Sequence, residues 1–226
     1  MPKREQDATR NVNRRKFMAS APEKIMSIEN ELGLRFRRLK YTGQLAEALK
    51  QEDLNRTNVR VGMNATEQSL FNTKLGRFGT LVFATHGYFG KNLPGIQEPV
   101  LALTLVGQPP EREGFLTMTE VMNGLDLNAD TVALVACQTG LGRRVSGEGS
   151  MNMGRAFQYA GARSVLMSLW SVAQRSSVDM VRSYLKHVKD GKPKLEAMQL
   201  ARKEIREAGY DHPFFWAPFI LVGEVR

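Results

Sequence analysis

Two side chains in this sequence could act together as a nucleophile and its base. The run TLVFAT (80–85) leads directly into His86-Gly87, and TVALVA (131–136) leads directly into Cys137-Gln138-Thr139-Gly140. Cys137 is the single cysteine of the chain. Both runs are continuous and apolar, the pattern of parallel strands covered on both faces. In an open parallel sheet, reactive groups gather beyond the carboxyl ends of the strands. Neighbouring strands lie about 4.8 Å apart, so an imidazole and a thiol emerging there can approach one another, as nucleophilic catalysis requires. Gly87, lacking a Cβ, leaves a backbone N–H open to a substrate oxygen. The Cys137 N–H is a second donor, so the pair forms a candidate oxyanion hole. Taken singly, each residue supports a blander reading, since a buried cysteine is commonly a small core hydrophobe.

Other chemistries fit less well. The loop after Cys137, GLGRRVSGEG, lies between a strand and a helix, where phosphate loops occur. The dinucleotide fingerprint fails there, because Val145 or Asn152 stands where its third glycine is needed. No phosphate-loop G-x-x-x-x-G-K-[ST] string and no G-x-S-x-G elbow are present. Arg143 and Arg144 leave anion binding open. Three histidines, at 86, 187 and 212, and one cysteine are too few and too scattered for a zinc site. No metal and no cofactor are expected.

The elements that must position His86 and Cys137 alternate along the chain. LRFRRLK (34–40) alternates apolar and basic residues and predicts an edge strand. GQLAEALKQE predicts a helix and NVRVG a short strand. Asn64 or Thr66 can cap a helix running to Leu75, with Glu67 in its first turn. Further strands are expected at 80–85, 100–106, 131–136 and 162–170, with a helix over 150–160. Two amphipathic helices follow. Val178, Val181, Tyr184, Leu185 and Val188 make one stripe, and Leu195, Met198, Ala201 and Ile205 the next, with Pro193 at its start. APFILVG is a closing strand. The alternation predicts an α/β domain with a mostly parallel sheet and helices on both faces.

Composition agrees. The 226 residues are 42% hydrophobic and 24% charged, ordinary globular usage that excludes wholesale disorder. No apolar run approaches the roughly 20 residues that span a bilayer, so no membrane partner and a reduced cytoplasmic setting are expected. The net charge of +9 is uneven: residues 1–60 carry 14 Lys/Arg against 8 Asp/Glu, the remainder 18 against 15. A solvated basic front and a contact for an acidic partner or polyanion both remain open. NRRKFM is not followed by the apolar stretch that an export signal needs. Residues 1–20 are expected to be a flexible basic segment and 21–226 the domain.

With these residues in view, LVFATHGYF, the long stretch from GFLTMTEV through ACQTGLGRRVSGEGSMNMG to SVLMSLW, and DHPFFWAPFILVGE resemble the CHAT domain. That is a caspase-like, separase-related peptidase family of the caspase-hemoglobinase fold, known from bacteria and commonly found with tetratricopeptide repeats. The resemblance runs from about Ala65 to Glu224. It implies a cysteine endopeptidase with His86 as base and Cys137 as nucleophile. The spacing also suits the pattern of a caspase histidine about 50 residues before its cysteine. It further implies that Trp170 walls a substrate pocket, which Glu148, Ser171 and Arg175 are expected to border, although Glu148 equally sits where an acid favours a helix N-terminus. Relatives often carry acids after the tryptophan, whereas LWSVAQRSS has none, so no preference for a basic P1 residue carries over. The expected partners are a protein substrate and a tetratricopeptide-repeat region or regulator that relieves a latent state. A non-catalytic interaction module, or a CRISPR/RNA-associated subunit touching nucleic acid only weakly or indirectly, is the alternative. His212 is expected to be structural, His187 solvent-facing, and Trp216 and Phe219 core.

Overall fold

The computed structural model describes residues 39, 41–52, 57–88, 96–105, 113–135, 143–145, 149–151, 153–170 and 172–225. Its central sheet has four strands: β1 (Thr80–Phe83), β5 (Thr131–Leu134), β8 (Ser164–Ser168) and β9 (Phe219–Gly223), in the order β1-β5-β8-β9. β1 and β8 both run parallel to β5, and β9 closes the sheet antiparallel to β8. Side chains alternate along a strand, and here they divide between two cores. Leu81, Phe83, Val132, Leu134, Val165 and Met167 face one cluster. Ala133, Val135 and Leu166 face the other. Both faces are therefore dry, which is why these strands read as continuous apolar runs.

Helices cover each face. On the first lie α2 (Glu67–Phe71), α3 (Met118–Gly124) and α4 (Met153–Tyr159), through Leu70, Phe71, Val121, Met153 and Phe157. On the second lie α1 (Thr42–Glu52), α5 (Gln174–Lys189) and α6 (Lys194–Glu207), through Leu45, Val181, Tyr184, Met198 and Ile205. Thr66 caps α2 by accepting from the Ser69 N–H, and Thr117 and Glu120 form a reciprocal capping box on α3. Gly161, at φ +110°, turns the chain from α4 into β8. A Cβ there would sit 2.1 Å from the Leu127 carbonyl oxygen, so the close approach requires glycine.

A second, three-stranded antiparallel sheet joins β2 (His86–Tyr88), β3 (Val100–Ala102) and β4 (Phe115–Thr117). β6 (Arg143–Val145) and β7 (Gly149–Met151) form a short hairpin.

Several expectations change. The strand expected at 34–40 lies almost wholly outside the described residues. NVRVG is not a strand: residues 58–61 are irregular, Val61 is half exposed, and Gly62–Asn64 form a 3-10 turn. The helix after Thr66 stops at Phe71 rather than Leu75, giving way to a turn and a 3-10 segment at Leu75–Arg77. Residues 100–106 supply β3 to the second sheet and not to the parallel one. The helix expected over 150–160 begins only at Met153, because 149–151 pair in the hairpin. Leu195, placed on the buried stripe by its spacing, is 51% exposed in the first turn of α6.

Candidate active site

The carboxyl ends of β1, β5 and β8 emerge side by side. The register pairs Phe83 with Leu134, and the Val135 N–H donates to the Phe83 carbonyl at 2.8 Å. The strands leading to His86 and Cys137 are thus direct neighbours running the same way. Cys137 itself lies outside the described residues, as do Glu148 and Ser171. The strands that precede Cys137 and Ser171 in the sequence are described.

His86 does not simply cap β1. The chain leaves that strand after Phe83, bends through Ala84-Thr85, and begins β2 at His86. The Thr85 hydroxyl donates to the Ala102 carbonyl and ties the bend to β3. His86, Gly87 and Tyr88 pair with Ala102, Leu101 and Val100. His86 and Tyr88 therefore share one face of this sheet. Their rings lie 5.9 Å apart between centroids at 34°. Val100, Ala102 and Phe115 form a buried cluster against which Tyr88 packs. His86 is half-buried and borders the small side chain of Ala102. Tyr88 and Thr85 escaped the sequence reading. The only hint was the period of two within H-G-Y, and three residues are too few for periodicity to act on.

At the end of β8, Trp170 is 36% exposed and its indole N–H donates to the Phe214 carbonyl at 3.2 Å. The Phe214 N–H in turn donates to His212 Nδ1, so this histidine holds a 3-10 turn at Pro213–Phe215. Arg175 is exposed in the first turn of α5. Gln174 points elsewhere, accepting the Tyr41 N–H through Oε1 at 3.3 Å. Phe219 is fully buried, while Trp216 is only partly buried and lies under the Arg206 guanidinium. His187 departs from the solvent-facing expectation. Its side chain is 14% exposed and hydrogen-bonded through Nε2 to Glu204 Oε1 at 2.8 Å, because α6 packs across α5.

An open cleft of about 910 Å³ runs beside α1 and residues 57–62, and neither His86 nor Trp170 lines it. Among the described residues, no group of three or more His, Cys, Asp or Glu is arranged to hold a metal ion. Nor is any described helix long and apolar enough to cross a membrane.

The family model described as the CHAT domain matches residues 3–224. The chain belongs to the CHAT domain family. Its α/β architecture, with a mostly parallel sheet and helices on both faces, is that of a caspase-like fold. Tetratricopeptide repeat protein 28 of Mus musculus is 33% identical over 116 residues, and its counterpart in Homo sapiens 32% over the same length. Each match covers 51% of this chain but only 5% of the relative. The CHAT chain is therefore similar to a small part of two long mammalian repeat proteins.

Proposed function

We propose that this CHAT domain is a cysteine endopeptidase in which His86 and Cys137 form the catalytic dyad. One observation carries the reading: β1 and β5 are adjacent and parallel, with Phe83 opposite Leu134. His86 follows the first of these paired residues by three positions, and Cys137 follows the second by three. Cys137 is two residues beyond Val135, so the chain allows its Cα no more than about 7 Å from that anchored strand end. A thiol is only a few per cent ionised at neutral pH, and an adjacent imidazole can accept its proton.

The thiolate attacks a peptide carbonyl carbon, and the electron pair moves to the oxygen. N–H groups of Gly87 and Cys137 stabilise that oxyanion. As the intermediate collapses, the C–N bond breaks and the His86 imidazolium gives its proton to the departing amine. Water then adds to the thioester with His86 as base, releasing the acid and regenerating the thiol. Trp170, Ser171, Arg175 and Glu148 border the substrate in this reading. Trp170 follows β8 by two residues, and Arg175 lies in the first turn of α5.

The protein substrate is cleaved in the cytoplasm under control of a tetratricopeptide-repeat region, in keeping with the named relatives. Residues 1–20 serve as a basic segment at the front of the chain, where the family match begins at residue 3.

The test is mapping of new protein N-termini in cells expressing wild type, Cys137→Ala, His86→Ala or both. Each single variant is expected to abolish the same cleavages. The double variant should be no worse than either single, because the two groups act as one unit. Undiminished cleavage by Cys137→Ala would remove the assignment.

A further inference from the structure

A general base works only if its ring is held in one orientation, since small misplacements of reacting groups are costly. His86 sits on a strand of three residues, and the backbone alone leaves its side-chain torsions free. One face of the β2–β3–β4 sheet supplies a restraint. Tyr88 lies two residues along the same face, with its ring 5.9 Å from the imidazole and inclined at 34°. Tyr88 is itself wedged against Val100, Ala102 and Phe115, all buried. Opposite His86 the register places Ala102, whose methyl group leaves room for the imidazole where a larger residue would displace it. The Thr85 hydroxyl fixes the entry to the strand by donating to the same Ala102 carbonyl.

We propose that Tyr88 is the positioning residue of His86: its ring face, anchored in the small apolar cluster, holds the imidazole in the orientation from which it meets Cys137. The proposal rests on the dyad reading above. It assigns the work to the aromatic face and not to the phenolic hydroxyl. A second sheet, separate from the one that carries the nucleophile, then sets the base.

The single cysteine permits a test that needs no substrate. Iodoacetamide is attacked by the Cys137 thiolate with loss of iodide, and the rate at pH 7 follows thiolate content and access. In the full chain, His86→Ala is expected to slow alkylation at least about 10-fold, toward a free thiol. Tyr88→Leu keeps apolar volume but removes the flat face, and should slow it about 3- to 10-fold, the scale of an aromatic contact. Tyr88→Phe restores the ring and should recover most of the rate. Thermal midpoints measured alongside separate loss of orientation from loss of fold.

If His86→Ala slows alkylation and Tyr88→Leu, folded, matches wild type, the positioning role is wrong and the dyad stands. If His86→Ala changes nothing, the dyad reading fails first. Tyr88→Phe as slow as Tyr88→Leu would also overturn the proposal, since the hydroxyl would then be what matters. Should Tyr88→Leu not fold, the wild-type chain decides by NMR. A cross-relaxation peak between the Tyr88 and His86 rings is expected, and its absence overturns the proposal.

Discussion

The amino end of β5, opposite the end that leads to Cys137, is clamped by one ion pair whose two halves should respond very differently to mutation. Lys194 opens α6, and its side chain is only 4% exposed. Its Nζ donates to Asp130 Oδ1 at 3.0 Å and to the Asp130 backbone oxygen at 3.1 Å. The Asp130 side chain is 48% exposed. Asp130→Ala leaves a nearly enclosed ammonium with a single carbonyl, which already accepts from Ser164 Oγ at 2.7 Å. Stranding a fully buried charge costs about 3–5 kcal/mol. Because water reaches the half-exposed aspartate side, the cost here falls below that range, to about 2–3 kcal/mol. At roughly 2–4 °C per kcal/mol for a chain of this size, the melting midpoint should fall by about 4–12 °C. Lys194→Met removes the charge but keeps the apolar stem, and Asp130 can turn to solvent. Its cost should stay below about 1 kcal/mol. The double variant should then match Lys194→Met alone, far from the sum of the singles. Urea unfolding of the three variants at pH 7 measures this cycle. Equal costs for the two singles, or additive costs in the double, would refute the stranded-charge reasoning.

Gly161→Ala should cost at least about 2 kcal/mol, because it combines a positive φ with a Cβ 2.1 Å from the Leu127 oxygen; an unchanged denaturation midpoint would contradict that geometry. Burial pushes the Tyr184 phenol from 10.0 up to about 12. The unfolded chain therefore gives up this proton first, and the folded state loses stability as pH rises from about 10 to 12. Relative to Tyr184→Phe, wild type should weaken over that window by about 2–3 kcal/mol. Urea midpoints for both proteins at pH 8 and pH 11.5 would show it, and a constant gap between them would refute it.

The long, strongly patterned elements were legible in the sequence because their burial is uniform. TVAL and SVLM contact apolar cores on both faces, so every position had to be apolar or small. α5 and α6 bury one stripe each, and the spacing of Val178, Val181, Tyr184 and Leu185 records it. His86 could be read as lying near the outlet of β1, although the apolar run outlasts that strand by Ala84-Thr85.

Tertiary structure alone decided the rest. β2, β3 and β4 are three residues each, and their stability comes from pairing across the chain rather than from local pattern. No period can be recognised in so short a window. For that reason the bend at Ala84-Thr85, the surroundings of His86 and the approach of Tyr88 could not be foreseen. NVRVG had the composition of a strand but forms none, since a strand needs a neighbour to satisfy its backbone and composition does not supply one. Leu195 and His187 make the same point from opposite sides. A leucine at helical spacing is exposed in the first turn of α6, while its neighbours Lys194 and Ala197 are buried. A histidine among lysines is covered because Glu204 crosses over it. Spacing fixes which residues share a face of one element. Which faces meet depends on the packing of elements distant in sequence.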